Sequence, residues 1–190
     1  MAIIRKKILA VSGSLRSNSV NELLLSYLAE RYKETLDIQL YNGLAELPHF
    51  NPDLDNENLP VSVRKLRAEI EAADGIIICT PEYVFSLPGV LKNALEWTVS
   101  TTIFSGKPAA LIVASGQGEK AYEALILIMN TLGAKIGEHA KLLISGARSK
   151  ISKIKTQGNI SDALTAKELD TLMQSLLETI TNEQPVINSI

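Results

Sequence analysis

Residues 8–14 of this 190-residue chain are Ile8-Leu9-Ala10-Val11-Ser12-Gly13-Ser14, four apolar residues that lead into a turn rich in serine and glycine. The same change recurs at residues 76–81, where Ile-Ile-Ile-Cys precedes Thr-Pro, and at residues 109–118, where six apolar residues precede Ser-Gly-Gln-Gly. Short apolar runs bounded by turn residues are typical of strands that are buried on both faces. The sequence therefore predicts three central strands, each followed by a polar loop.

Segments with helical periodicity lie between and after these strands. Apolar side chains recur every three or four positions in five segments, which predicts helices at residues 21–33, 63–70, 88–97, 122–132 and 165–180. Pro88 is expected in the first turn of the third helix, and the capping-box pattern of Thr165 and Glu168 predicts the start of the last one. Two weaker strands are predicted at residues 38–40 and 141–144.

This alternation of strands and helices predicts an α/β fold. Strands that are apolar on both faces imply a parallel sheet covered by helices on both sides, with right-handed crossovers. We expect three layers around a doubly wound, five-stranded parallel sheet. Ligands of such sheets bind beyond the carboxyl ends of the strands, so the loops after the three central strands form the candidate site. The long loop of residues 42–60, with three prolines, is expected to border it.

The composition limits the classes of function. The chain is 46% hydrophobic and 21% charged, with a net charge of -2 and scattered lysines and arginines, so we expect no nucleic-acid partner. Its apolar runs reach only six residues, whereas a membrane-spanning helix needs about 20, and we expect no membrane partner. The single cysteine, Cys79, cannot form an intramolecular disulfide. The first residues lack a signal-peptide pattern, and we predict a soluble, cytoplasmic protein.

The loop after the first strand, residues 13–21, has the composition of an anion site. It precedes a predicted helix start, where free amide N–H groups and the helix dipole favour an anion. The hydroxyls of Ser14, Ser17 and Ser19 can donate to phosphate oxygens, and Arg16 can add a charge-assisted contact. With one glycine the loop fits neither a dinucleotide-binding motif nor a P-loop, and it suits a terminal monophosphate. A plain turn in which Ser19 begins a capping box is an equally open interpretation.

The loop after the second central strand carries two aromatic residues and two prolines. Pro81 and Pro88 fix their φ angles and stiffen the backbone, which can then hold its N–H and C=O groups against the edge of a planar ring. Tyr83 or Phe85 can lie beside such a ring. Ordinary packing or a dimer contact explains Phe85 equally well, and Trp97 is expected to pack in the core or in an interface.

Three motifs in these loops carry a family resemblance. They are Gly13-Ser14-Leu15-Arg16 followed by Ser19 and Asn21, then Pro81-Glu82-Tyr83, then Ser86-x-Pro88-Gly89-x-Leu91-Lys92-Asn93-Ala94-x-x-Trp97. With them the chain resembles the NADPH-dependent FMN reductase family, which includes chromate, quinone and azo reductases. The resemblance runs from about residue 7 to about residue 144. The motifs between Pro81 and Trp97 are the specific ones.

The resemblance implies one flavodoxin-like domain over residues 1–190, with strand order 2-1-3-4-5 and tightly bound FMN. NADPH or NADH would pass a hydride to N5 of FMN, and the hydride would go on to a quinone, azo, metal-oxyanion or flavin acceptor. No protein acid or base is expected in the hydride step, because the cofactor carries the chemistry. The family also implies a homodimer or homotetramer, with the helix after Pro88 at the interface.

The resemblance further implies which residues contact FMN. The phosphate would lie among Ser14, Arg16, Ser19, Val20 and Asn21, the isoalloxazine ring would border Pro81, Glu82, Tyr83, Val84 and Ser86, and the third loop would consist of Ser115, Gly116, Gln117 and Gly118. Two positions depart from the family. Val84 stands where many members have Asn. After Gly118, Glu119-Lys120-Ala121 replaces the usual second glycine pair and a nearby Arg, which leaves the geometry of the third loop open.

Other hypotheses remain at this point. A flavodoxin-type electron carrier without its own nicotinamide reaction is the alternative function, although a net charge of -2 does not suggest the strongly acidic face of such carriers. A domain that kept the fold but lost FMN is a third hypothesis. We expect no metal site, because His49 and His139 lack ligand spacing, and we expect His49 near the site entrance. Cys79 is expected to be a buried strand residue rather than a redox thiol.

Overall fold

A computed structural model describes residues 5–151, 160 and 162–182 of the chain. Its strands are β1 (Lys6–Ser12), β2 (Leu36–Tyr41), β3 (Gly75–Thr80), β4 (Pro108–Ser115) and β5 (Lys135–Ser145), and its helices are α1 (Val20–Arg31), α2 (Val61–Ala72), α3 (Gly89–Glu96), α4 (Glu119–Thr131), α5 (Ala147–Ile151) and α6 (Ala163–Thr181). The strands pair in parallel in the order β2-β1-β3-β4-β5, which confirms the expected fold class. None of the helices in these ranges combines the length and apolarity needed to cross a bilayer.

The sheet is covered on both faces, which explains why its central strands are apolar throughout. Every residue of β3 is buried, and neighbouring side chains point to opposite layers. Ile76 and Ile78 pack with α2, α3 and α4, whereas Ile77 and Cys79 pack with α1, α5 and α6. The alternating pattern of a half-exposed strand is therefore absent here.

The edge strand β5 is longer than the sequence predicts. The prediction covered residues 141–144, whereas the strand extends over Lys135–Ser145. Its register against β4 shifts between Ala109 and Leu111, and the exposed residues Glu138 and His139 lie in the added part. Polar residues are common on edge strands, where they discourage pairing with other chains. Here they interrupt the apolar pattern, so the sequence did not predict this part of the strand.

The helix starts also differ from the predictions. Pro88 precedes α3 as its N-cap residue instead of lying within its first turn. The capping box of Thr165 and Glu168 is wrong, because α6 begins at Ala163 and Asp162 caps it by accepting the amide N–H of Thr165 at 3.0 Å. Helix α4 begins at Glu119, three residues early, and the short helix α5 was not predicted.

Asn93 of α3 and Trp97, which directly follows α3, hold the loop of residues 42–60. The side-chain oxygen of Asn93 accepts the amide of Phe50 at 2.7 Å, and its amino group donates to the carbonyl of Pro48 at 2.9 Å. The indole N–H of Trp97 donates to the same carbonyl at 2.8 Å, and its ring stands edge-on to Phe50 at 5.1 Å. Such aromatic pairs add about 0.5–1.5 kcal/mol beyond burial. Trp97 is fully buried, which confirms core packing.

An ion pair holds the same loop further along. Arg67 of α2 bonds the carboxylate of Asp55 at 2.8 Å and the carbonyl of Trp97 at 2.8 Å, and Ser100 donates to the same carboxylate. Burial alone would raise the pKa of Asp55, but the hydrogen bonds from Ser100 and Arg67 outweigh it and hold the pKa below its ordinary value. The loop is thus anchored at two places along its length, at Pro48 and Phe50 and again at Asp55, and it includes two short 3-10 helices, Leu44–Glu46 and Pro52–Leu54.

Gly13 should be intolerant of any side chain. Its N–H donates to the carbonyl of Cys79 at 2.8 Å, and an added Cβ would lie 2.2 Å from Oγ1 of Thr80. We expect Gly13→Ala to lower the free energy of unfolding by about 1–3 kcal/mol, measured by urea denaturation. Gly89→Ala is the control, since an added Cβ there meets no atom within 4 Å. Equal midpoints for the two variants would contradict this account of the close approach.

Candidate functional site

The loops after β1, β3 and β4 enclose a crevice of about 390 Å³ at the carboxyl edge of the sheet. This volume is typical of small-molecule sites. The structure brings together most of the predicted residues here: Ser14, Arg16, Ser19, Val20, Asn21, Pro81, Tyr83, Ser115 and Gly116. The other predicted residues do not line the crevice, but they belong to the loops that shape it: Glu82, Val84, Ser86, Gln117 and Gly118.

The first loop is held by its own hydroxyl groups. The amide of Ser14 donates to the hydroxyl of Ser12 at 3.3 Å, and the amide of Arg16 donates to the hydroxyl of Ser14 at 3.3 Å. Asn18 then takes a positive φ of 55°, a conformation that Asn tolerates better than most residues, and the chain enters α1. Ser14 and Arg16 line the crevice, and among the described residues neither the Ser14 hydroxyl hydrogen nor the Arg16 guanidinium has an acceptor.

The start of α1 supports both interpretations of this loop at once. The hydroxyl of Ser19 accepts the amide of Glu22 at 3.1 Å, so Ser19 caps the helix as expected. The reciprocal bond of a capping box is shifted by one residue: the carboxylate of Glu22 accepts the amide of Asn18 at 2.8 Å, whereas the amide of Ser19 donates to the carbonyl of Arg16. The amides of Val20 and Asn21 have no acceptor among the residues that the structure describes. They lie at the positive end of the helix dipole, where an anion is favoured.

Two buried polar side chains border the crevice beside these amides. Ser19 and Asn21 are each only 3% exposed. The side-chain oxygen of Asn21 accepts the thiol of Cys79 at 3.2 Å, which turns the amino group of Asn21 away from the sheet as a donor. Complete burial raises the pKa of Cys79 well above its ordinary value, so the thiol stays protonated. This confirms the expectation that Cys79 is a buried strand residue rather than a reactive thiol.

Glu82 connects the second and third loops. Its carboxylate accepts the amides of Lys120 and Ala121 at 2.9 and 3.0 Å, in the first turn of α4. Its own amide donates to the hydroxyl of Ser115 at 3.2 Å. The N-cap residue of α4, Gly118, has no side chain for this role, so Glu82 caps the helix from another loop. The charge of Glu82 therefore faces a helix terminus and not the crevice.

The backbone conformation of Gly118 determines how the third loop leads into α4. Its φ of 108° belongs to the left-handed region, and an added Cβ would lie 2.8 Å from Leu143 and 3.0 Å from Val113. Only glycine avoids both problems. The helix begins at the next residue, Glu119, so the loop is short and the second glycine pair of the family has no counterpart.

A residue that the sequence analysis missed, Arg148, also lines the crevice. It lies on α5, which is fixed against the third loop by two hydrogen bonds. The amide of Gly146 donates to the carbonyl of Gly116 at 3.0 Å, and the hydroxyl of Ser145 donates to the carbonyl of Gln117 at 2.9 Å. A five-residue helix has no periodicity to reveal it. The one available signal was a cation directly after the last predicted strand, at the same edge of the sheet.

The remaining predicted residues lie elsewhere. Between Tyr83 and Ser86 the chain makes a tight turn beside the crevice, with exposed tip residues. His49 is exposed in the loop held by Asn93 and is not among the crevice-lining residues. Among the described residues no group of three or more His, Cys, Asp or Glu is placed to hold a metal ion.

The fold and the crevice together define a class of protein. The crevice lies where the strand order reverses, between β1 and its neighbour β3. The loop after β1 offers hydrogen-bond donors that suit a phosphate. This is the arrangement of flavodoxin-like domains, which bind flavin mononucleotide at this switch point.

Comparison with known proteins gives the family. The sequence model of the NADPH-dependent FMN reductases matches residues 6–148. An NAD(P)H-dependent FMN reductase of Pseudomonas aeruginosa is 40% identical over 57% of this chain, which spans 60% of that relative. The NADH-dependent flavin reductase subunit 2 of Lactobacillus johnsonii is 30% identical over 94% of this chain and 99% of its own length. Other relatives are named quinone reductase and NADPH azoreductase.

A solved structure supports the same relationship. The flavoenzyme NAD(P)H:(acceptor) oxidoreductase FerB from Paracoccus denitrificans superposes with a TM-score of 0.81 at 28% identity, covering 93% of this chain and 98% of that one. The chain belongs to the NADPH-dependent FMN reductase family. Its members are oxidoreductases that use FMN, which favours the enzyme over the electron carrier.

The residues of the crevice fit FMN. A terminal phosphate needs several donors and compensating positive charge. The crevice offers the hydroxyls of Ser14 and Ser19, the amino group of Asn21, the amides at the start of α1, and Arg16. Ser19 and Asn21 are nearly fully buried, and each uses its oxygen as an acceptor within the protein, which leaves the hydroxyl hydrogen of Ser19 and the amino group of Asn21 as donors.

The cap supplied by Glu82 should be measurable in stability. We expect Glu82→Ala to lower the free energy of unfolding by about 1–2 kcal/mol, because two amides lose their acceptor and α4 loses a charge at its positive end. Glu119→Ala is the matched control, since it removes the same charge from the exposed first residue of the same helix. Chemical denaturation of both variants checks this, and an equal loss in each would show that the charge alone matters.

Proposed function

We propose that this protein is an FMN-dependent NAD(P)H oxidoreductase that reduces a small-molecule acceptor: a quinone, an azo compound, a metal oxyanion or a flavin. The observation that carries the proposal is the crevice, which has a cationic, hydroxyl-lined end and an aromatic end in one cavity. A fully buried, protonated Cys79 and a nicotinamide reductant both suit the cytoplasm as its location.

When bound, FMN supplies a two-electron carrier between the nicotinamide and the acceptor, so the protein needs no acid or base for hydride transfer. With a quinone, one NAD(P)H and one solvent proton give NAD(P)⁺ and the hydroquinone. The task of this chain is therefore to position the cofactor and the substrates. Titratable groups facing the crevice, Arg16, Tyr83 and Arg148, are positioned for binding rather than for proton transfer.

The two ends of the crevice divide this work. At one end Ser14, Ser19, Asn21 and Arg16 would hold the phosphate. At the other end Pro81 fixes the backbone where β3 ends, and Tyr83 would offer a ring beside the isoalloxazine. This separation would orient the cofactor, because a phosphate would be recognised only at the first end.

Reduction by NAD(P)H tests the function directly. The purified holoprotein should show the absorption of bound flavin, should bleach on addition of NADPH or NADH without oxygen, and should recover its colour on addition of a quinone. A flavin that binds but is not bleached by either nicotinamide would support the electron carrier instead. A colourless protein that does not take up added FMN would support loss of the cofactor.

Arg16 should distinguish FMN from riboflavin, which lacks the phosphate. We expect Arg16→Met to raise the Kd for FMN by about 10–100-fold, because a hydrogen bond to a charged group contributes about 1.5–3 kcal/mol. The Kd for riboflavin should stay unchanged. Arg64→Met, on the exposed side of α2, is the control and should alter neither constant. Fluorescence titration gives both values, and an equal loss for the two flavins would place the phosphate elsewhere.

We also propose that the protein forms a homodimer through an apolar groove between α3 and α4. The groove has a volume of about 360 Å³ and is lined by Phe50, Val99 and Leu127 among others. Val99 and Leu127 are 62% and 68% exposed and line the same groove, and a contiguous exposed apolar surface often marks a site of protein contact. Lys92 and Glu96 lie at the groove as an ion pair of 2.6 Å. A second copy related by two-fold symmetry meets opposite charges as well as apolar surface.

Leu127→Lys should weaken this dimer. We expect a change from dimer to monomer at micromolar concentration, because a charge would be buried against apolar surface. Size-exclusion chromatography with light scattering measures the mass. Leu164→Lys is the control, since Leu164 is 64% exposed on α6, away from the groove. A dimer that survives Leu127→Lys, or dissociates equally with Leu164→Lys, would exclude this groove as the interface.

A further inference from the structure

The turn from Tyr83 to Ser86 is closed by two backbone hydrogen bonds. The amide of Tyr83 donates to the carbonyl of Ser86 at 3.0 Å, and the amide of Ser86 donates to the carbonyl of Tyr83 at 3.1 Å. The two residues between them, Val84 and Phe85, have φ angles of 50° and 54°. This is the geometry of a type I′ turn, which needs a positive φ at both central positions.

Val84 and Phe85 are poorly suited to that geometry. Type I′ turns favour Asn-Gly, because a Cβ clashes with the backbone at positive φ, and a β-branched residue such as Val84 is a clear outlier there. Asn18, the other non-glycine residue with positive φ in the described ranges, is of a tolerant type. The strain is not offset by burial, since Val84 is 95% exposed and Phe85 is 73% exposed. Strain of this kind persists mainly at functional sites.

The turn is continuous with the crevice. Tyr83 lines the crevice and is itself 52% exposed, so an apolar surface runs from the aromatic end of the cavity onto the tip of the turn. The charged groups of the crevice lie elsewhere, Arg16 in the first loop and Arg148 on α5. A molecule that reaches the aromatic end from solvent therefore meets Val84 and Phe85.

We propose, on the basis of the function proposed above, that the Val84–Phe85 tip selects the electron acceptor and favours uncharged, planar, apolar acceptors over metal oxyanions. An apolar ring gains contact area on the tip, whereas an oxyanion loses hydration there without a donor to replace it. For a quinone the transfer is balanced as above: one hydride from NAD(P)H and one solvent proton yield the hydroquinone.

The test replaces the tip with the residues that its backbone prefers. In the double variant Val84→Asn with Phe85→Gly, we expect kcat/KM for 2-methyl-1,4-naphthoquinone to fall about tenfold relative to kcat/KM for chromate. We also expect the Tm of the holoprotein to rise by about 2–4 °C, because the strain is relieved. Val61→Asn is the control, since Val61 is 80% exposed on α2, far along the chain from the crevice, and it should leave the ratio and Tm unchanged.

Each measurement has an outcome that would contradict the proposal. An unchanged ratio in a variant whose flavin is still bleached by NADPH would overturn acceptor selection while leaving the proposed function intact. A lower Tm would show that the tip is stabilised by contacts, against the proposal. A loss of dimer mass in light scattering, with the ratio unchanged, would make the tip a subunit contact. If wild-type flavin is not bleached by NADPH, the proposed function itself fails.

Discussion

The carboxylate of Glu82, bonded to the first amides of α4, joins two of the three loops around the crevice. Because α4 starts after Gly118, its amides need an acceptor from another part of the chain. The amide of Glu82 is fixed in turn by Ser115, so the second and third loops form one hydrogen-bonded unit. The first loop joins it through the bond from Gly13 to Cys79 of β3. An acidic residue can therefore lie beside this crevice without adding a negative charge to its lining, since its carboxylate faces a helix terminus.

Over most of the chain each residue adopts a backbone conformation that its type favours. Beside the crevice two residues do not. The buried strands are apolar, Ser19 and Asp162 cap their helices, and the left-handed residue Asn18 is of a tolerant type. Val84 and Phe85 break this agreement in an exposed turn. Proteins tend to carry such conflicts where function requires them, and here the conflict adjoins the cavity.

The central strands and their loops were predictable because burial on both faces leaves an uninterrupted apolar run, as in residues 76–79. The place of the first loop at the crevice was predictable because the loop follows a buried strand directly, whereas its composition alone fitted a capped turn equally well. Other features left no comparable signal. The edge strand β5 is polar where it faces solvent, and α5 with Arg148 is too short to show a period. The role of Glu82 depends on its contacts with Lys120 and Ala121. These residues lie 38 and 39 positions after Glu82 in the sequence, and only the fold brings them together.

The two ends of the crevice differ in how strongly their residues depend on one another. The groups at the end beside α1 come from the first loop and from the start of the helix, where Ser19 is hydrogen-bonded to Glu22 and Asn21 to Cys79, so a change at one position disturbs its neighbours. The tip of the Tyr83–Ser86 turn is closed by its own two hydrogen bonds and projects into solvent. Its residues can change without altering the strands or the phosphate loop. With the acceptor selection that we propose, such a scaffold would keep one cofactor site while the acceptor varies, because the selecting residues lie on an exposed turn held by a rigid sheet.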